Sequence, residues 1–239
     1  MAAAAPLAAR SAEPPPAAPS SPAAPAPAAP PGGRQPLAEM VKMDEDLKKV
    51  HELLAAQSWA AAGDEAHALL AVVAPRVQSD PATPAAVLGF LAIAAAGQGD
   101  RAAALCRWEA AQSLFPRLES ADLSAYGTAA KALLDSAREH PGKVSASRGK
   151  ASDPEPVATP APGWTKLARV ANLQGKAVVE AVIDTNGRIR HPKIAQSLGM
   201  GLDVMALDGI CDWRFKPASV KGKPIAVQYS LDVKYSVVQ

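Results

Sequence analysis

The chain has 239 residues, enough for one or two small domains, and its formal net charge of +2 gives no pull toward polyanionic partners. Nearly half of it is nominally hydrophobic (49%), but much of that is alanine, which buries little area, and aromatics make up only 4%, so the core is smaller than the percentage implies. No apolar run is long enough to span a bilayer, and Lys and Arg are not clustered among aromatics, so neither a membrane span nor a nucleic-acid partner is expected.

Residues 1–36 hold fourteen Ala and eleven Pro. Proline fixes φ and removes a donor, so this stretch is expected to be a disordered, extended tail that neither coils nor pairs. Its first dozen residues, ending Ala-Arg-Ser-Ala, read equally as the remnant of a secretory signal or as the start of the tail.

From residue 37 to 141 prolines thin out and apolar residues fall at helical spacing. Leu37, Met40, Val41, Leu47, Val50 and Leu54 mark a first helix. Gly63-Asp64 is expected to break the pattern, with Asp64 capping a second helix that ends at Asp80-Pro81. Pro84 to Ala96 gives a third. After Gly97-Gln98-Gly99, Asp100 caps a fourth, which Pro116 stops, and Ser120 to His140 gives a fifth, closed by Pro141-Gly142. The two Gly-Asp pairs lie 36 residues apart, a spacing typical of helical repeats. The second unit, with Leu88, Leu91 and Ala92 and then Ala104, Trp108, Ala111 and Pro116, resembles a tetratricopeptide repeat. A generic Ala-rich bundle remains the open alternative.

Residues 142–163, with Pro154, Pro156, Pro160 and Pro162, read as a semi-rigid linker. Charge divides at the same place. Nine Lys/Arg face fourteen Asp/Glu over 37–141, against fourteen and eight over 142–239, as expected of two separate units. Cys106 and Cys211 fall in different units and are therefore expected as buried thiols, not as a disulfide.

Residues 164–239 read as a small module. Trp164 to Val170 is a short helix. A strand opens at Gly175 and turns at Asp184-Thr185-Asn186-Gly187, an Asn-Gly hairpin signal in which both residues tolerate positive φ. A second strand runs from Arg188 to Gln196. Leu202 to Trp213 is a helix, Val220 to Pro224 a turn. From Ile225 onward odd positions are apolar and even ones mostly polar, the pattern of a long strand with one wet face. Asp184-x-Asn186-Gly187 lacks the later ligands of a calcium loop. His51, His67, His140 and His191 sit outside any metal-ligand spacing, and no nucleophile or phosphate-loop motif appears, so no enzyme, metal or cofactor is expected.

The motifs of this module occur in a fixed order: Trp164-Thr165-x-x-Ala168-Arg169, Gly175, Ile183-Asp184-x-x-Gly187, Ser197-x-Gly199, Leu202-Asp203-x-x-Ala206-Leu207, Trp213-x-Phe215-x-Pro217-Ala218 and Gly222-x-Pro224. Together they resemble the C-terminal domain of TonB-type energy transducers, with Trp164-Thr165 standing where that family has an aromatic-Pro pair. The resemblance implies two helices and a three-stranded antiparallel sheet, hence an α+β chain of tail, helical domain, linker and module. It implies a non-catalytic, periplasmic or envelope-bound adaptor that binds a peptide of an outer-membrane transporter, or of another envelope protein, by strand addition in energy-coupled transport. A non-catalytic envelope scaffold, with repeats and module each serving assembly, is the alternative. Trp213, Phe215, Leu202, Ile183 and Trp108 are expected to anchor the cores.

The tight Asn186-Gly187 turn admits no strand between its arms, so the last strand is expected to join outside the hairpin and become a sheet edge. Gln228, Ser230, Asp232 and Lys234 would then flank the partner-binding edge. Two competing fates for that edge are a homodimer through the last strand and coverage by the linker.

Overall fold

The chain's helices are set by where its polar caps and prolines fall. A computed structural model describes residues 35–37, 44–137, 144–145 and 151–236. The expected tail over residues 1–34, Met40 and Val41 on the first helix, the Pro141-Gly142 stop, and the last strand beyond residue 236 lie outside the described residues. Within the described part, α1 (Glu45–Ala55) begins at Asp44, whose carboxylate accepts from the Leu47 amide at 3.0 Å, and it buries Leu47, Val50 and Leu54. Next comes α2 (Trp59–Val73), which runs straight through Gly63-Asp64. The expected break is therefore wrong. A lone glycine costs a helix only about 1 kcal/mol, which the buried stripe Ala62, Ala66, Leu69, Leu70 and Val73 outweighs. Gly63 and Gly99 thus do not mark equivalent turns, and the 36-residue spacing does not define a repeat.

α3 (Ala82–Gly97) is buried on every side from Thr83 to Ala94 and is the centre of the helical layer. At its end the Trp59 indole occupies the space a Cβ at Gly97 would need. α4 (Arg101–Leu114) is capped as expected, Asp100 accepting from the Ala103 amide at 3.0 Å. The expected fifth helix is broken into 3-10 turns at Pro116–Ser120 and Ser124–Tyr126 around a two-residue strand, and only α5 (Gly127–Ala137) is α-helical. That strand, β2 (Ala121–Asp122), pairs in parallel with β1 (Gln35–Pro36), so the end of the Ala/Pro-rich stretch does pair. An edge position tolerates the proline because its missing donor faces away from the ladder.

Two short strands, β3 (Val144–Ser145) and β4 (Glu155–Ala158), interrupt the expected linker. Then follow α6 (Lys166–Val170), β5 (Gly175–Ile183), β6 (Ile189–Gln196), α7 (Leu202–Ile210), β7 (Arg214–Lys216), β8 (Ser219–Val220), β9 (Lys223–Pro224) and β10 (Ala226–Tyr235). The fold is α+β. β10, β5 and β6 form the expected antiparallel sheet, with β10 outside the hairpin, and β3 adds in parallel beside Ala226 and Val227. The hairpin turn takes positive φ at Gly187 alone (+73°), not at both Asn186 and Gly187. Asp184 organises it instead, its carboxylate accepting from the Asn186 and Arg188 amides at 2.8 and 2.9 Å. A Cβ at Gly187 would collide with the Phe215 carbonyl, whose own amide donates back to the Gly187 carbonyl at 3.0 Å.

Residues 33–239 form one compact unit, and α4 is the reason. One face of α4 sends Trp108 into the helical layer against Gly89. Its other face meets the sheet module. Cys106 is joined to Cys211 in a disulfide across 105 residues, which corrects the expectation of two separate thiols. The expectation assumed two domains that do not touch, but α4 packs directly on α7 and β6. Next to the disulfide, buried Arg107 donates to Asp208 at 2.7 Å and to Asp212 at 2.8 Å. Two residues further, buried Glu109 accepts from Arg190 at 2.9 and 2.7 Å and from the His191 amide at 2.6 Å. His191 carries a φ of +50° beside a register shift in β6, a bulge that re-aims the strand toward α4.

Candidate functional site

The sequence places a run of ten strand residues at the C-terminal end, and among the described residues most of it is paired on one side alone. β10 pairs with β5 from Val227 to Tyr235. On its other side β3 covers Ala226 and Val227, and from Gln228 to Tyr235 no described strand pairs with it. Gln228, Ser230, Asp232 and Lys234 all lie exposed along this stretch. Their neighbours alternate with them: Leu231, Val233 and Tyr235 are buried in the core, and Tyr229 is half-buried. Asp232 is held by Lys176 across the sheet at 2.8 Å. No described acid pairs with Lys234.

A groove of about 580 Å³ runs along this strand. It touches Tyr229, Ser230, Leu231 and Asp232 in succession, residues whose side chains alternate between the two sheet faces. A cavity that meets both faces of one strand reaches it across its free edge. The Pro-rich segment from Pro154 to Pro162 also lines it, together with Trp213 and Phe215. That segment is anchored at three points. Ser152 exchanges hydrogen bonds with Ser219 at 2.9 and 3.0 Å. β4 pairs antiparallel with β7, Pro156 opposite Phe215. The Trp213 indole N–H donates to the Pro160 carbonyl at 3.0 Å.

The module around the groove is held by short polar ties that explain its motifs. Thr165 caps α6, accepting from the Ala168 amide at 3.1 Å, and its hydroxyl donates to the Met200 carbonyl at 2.8 Å. A threonine thus does at this helix start what a first-turn proline does by fixed φ. Asp203 accepts from the Ser197 hydroxyl at 2.6 Å and from the Leu198 amide at 2.7 Å, which makes Ser197-x-Gly199 and Leu202-Asp203 one structural unit. The Tyr235 hydroxyl donates to the Leu202 carbonyl at 2.9 Å, and burial pushes its pKa well up, so it stays neutral. Trp164 packs edge-on to the Tyr235 ring, 5.3 Å between centroids.

Of the expected anchors, Ile183 and Leu202 are fully buried, Trp213 and Phe215 nearly so, and Trp108 lies in the helical layer. Sequence reasoning passed over Arg107, Glu109, Arg190 and Asp208. The signal was there: Arg107 and Glu109 fall in the run 103–111, otherwise Ala, Leu, Cys and Trp, and have to find partners when that run is buried all round.

Residues 160–237 match the family model for the Gram-negative bacterial TonB protein C-terminal. The module is a TonB C-terminal domain. Protein TonB of Vibrio cholerae serotype O1 is 28% identical over 102 residues, covering 39% of this chain and 42% of that protein. The chain thus matches less than half the length of this TonB relative. Most of the Pro-rich segment along the groove, Pro154 to Thr159, lies outside the TonB family match. Among the described residues no helix is long and apolar enough to cross a membrane.

Proposed function

We propose that this chain is a TonB-like adaptor of energy-coupled transport, which takes up an extended segment of an outer-membrane transporter or another envelope protein as an added strand on β10. The observation that carries the reading is the edge from Gln228 to Tyr235, which no described strand pairs, in a TonB C-terminal domain and bordered by a groove. An unpaired strand of this length offers a row of backbone donors and acceptors, and an incoming segment satisfies them by becoming the next strand. Affinity then comes from the backbone, while Gln228, Ser230, Asp232 and Lys234 set selectivity. No bond is made or broken, and the role is non-catalytic.

The disulfide supports a periplasmic location, because such bonds persist in oxidising compartments and are rare in the reducing cytosol. The helical layer, clamped to the module by α4, would hold the sheet at a fixed orientation to whatever the rest of the protein engages.

The test is proline substitution at Ser230, Asp232 and Lys234 in the full chain, with binding to transporter-derived peptides read by pull-down. Proline removes a ladder donor and spares the buried face. Loss of binding in folded variants is the expected result. Variants that fold and still bind would show that the strand edge is not the site.

A further inference from the structure

An open sheet edge is a hazard as well as a site, since any other edge of suitable length can zip onto it. The nearest competitor for β10 is β10 of a second copy. We infer that the segment from Ser152 to Pro162 is a guard, which makes the β10 edge a slot for one isolated, extended, acid-bearing peptide strand and closes it to any strand that is already part of a sheet.

The geometry behind this is the groove lined by both β10 and this segment. Adjacent strands lie about 4.8 Å apart, so a single guest takes the first place beside β10, and anything bonded to its far side falls about twice as far out, in the groove that β10 shares with the guard. A β10 arriving from another copy is still bonded to its own β5 along its far side. It would bring that β5 into the guard. A free peptide has no such passenger. The guard does not fill the slot itself: its β4 is already paired with β7, and Pro154, Pro160 and Pro162 on either side have no backbone N–H to donate. Nor is it a loose flap, being tied by the Ser152–Ser219 bonds, the β4–β7 pairing and the Trp213–Pro160 hydrogen bond.

Charge specifies the guest further. The Asp232 carboxylate is already taken by Lys176, and Lys216 by Glu155. The Lys234 ammonium on the groove has no described partner and is the charge presented to a guest. A segment with a carboxylate opposite Lys234 fits, and one with a lysine there is repelled. The identity of the guest as a partner peptide rests on the docking role proposed above; the exclusion of a second copy does not.

Two measurements on the full chain separate these parts. In the first, the exposed residues Glu155, Pro156 and Val157 are all replaced by glycine, and self-association is followed by sedimentation equilibrium. Wild type stays monomeric, and the glycine variant dimerises with new amide protection over Gln228 to Tyr235. Should that variant unfold, Trp213→Phe releases the guard at Pro160 alone and is read the same way. A folded, released guard with a monomeric protein overturns the inference, as does a wild type that already dimerises through β10. In the second, a short labelled Val/Thr peptide bearing one Glu is compared with its Lys counterpart. An exposed pair is expected to separate their affinities about threefold, and Lys234→Glu to reverse the order. Equal binding of both peptides to wild type and variant overturns the charge assignment. If the guard variant dimerises while proline variants of β10 still bind transporter peptides, the docking role fails and the guard stands.

Discussion

Glu109 on α4 receives both Nε and Nη2 of Arg190 from β6, two buried side chains 81 residues apart in sequence that meet at 2.9 and 2.7 Å. The pair sits where the helical layer meets the sheet. Its carboxylate also holds the His191 amide in a backbone conformation that non-glycine residues seldom take. Glu109→Ala leaves Arg190 buried without this acid and is expected to cost about 3–5 kcal/mol. Circular dichroism and Trp fluorescence should shift together on heating, because the layers share one interface.

Reducing the Cys106–Cys211 bond opens a loop spanning 105 residues. In the chain-entropy account a loop of that size is worth about 4–5 kcal/mol. Calorimetry with and without reductant should show a large fall in Tm. Cys106→Ser with Cys211→Ser should melt where the reduced wild type does and be insensitive to reductant.

His67 lies half-exposed with Nε2 3.3 Å from Asp208, and this contact raises its pKa above the usual 6.5 against burial and the nearby Arg107. A raised histidine stabilises fully below its unfolded pKa and loses that contribution as pH rises through the folded value. Burial alone would raise Asp208, but His67 and Arg107 together hold it below 3.8, so its contribution is lost only in stronger acid. The unit is therefore expected to be more stable near pH ~5.5 than near pH ~8. Thermal melts across that range should show a slope that His67→Gln flattens.

Gly187→Ala tests the hairpin. The site has positive φ, and the new methyl would press on the Phe215 carbonyl. The expected loss is at least about 1–3 kcal/mol. Because Phe215 lines the groove, weaker peptide capture should accompany the lower Tm.

What could be read from the sequence followed from local rules. Period-two alternation placed β10, the Asn186-Gly187 tightness placed it outside the hairpin, and Asp100 and Pro116 bracketed α4. Gly63 misled because burial of α2 outweighs one glycine. The 106-to-109 interface was legible only in half: Arg107 and Glu109 on a buried helix announce that partners are needed, but those partners lie 81 to 105 residues further along, and no periodicity within α4 says which surface will cover it. The guard was read as a linker because prolines announce stiffness but not what the stiff segment leans on.

The reach of the Cys106–Cys211 bond also sets an order of events. A chain made or exported from its N-terminus presents α4 about a hundred residues before the strand and helix that cover it. Through that interval Cys106 has no mate, and Arg107 and Glu109 have only water. The covalent closure waits for the final stretch, so a chain cut short before residue 211 leaves an apolar helix face uncovered and a reactive thiol beside it. Sealing of the helical layer thus depends on the α7 segment that packs beneath the sheet, and the two layers close together.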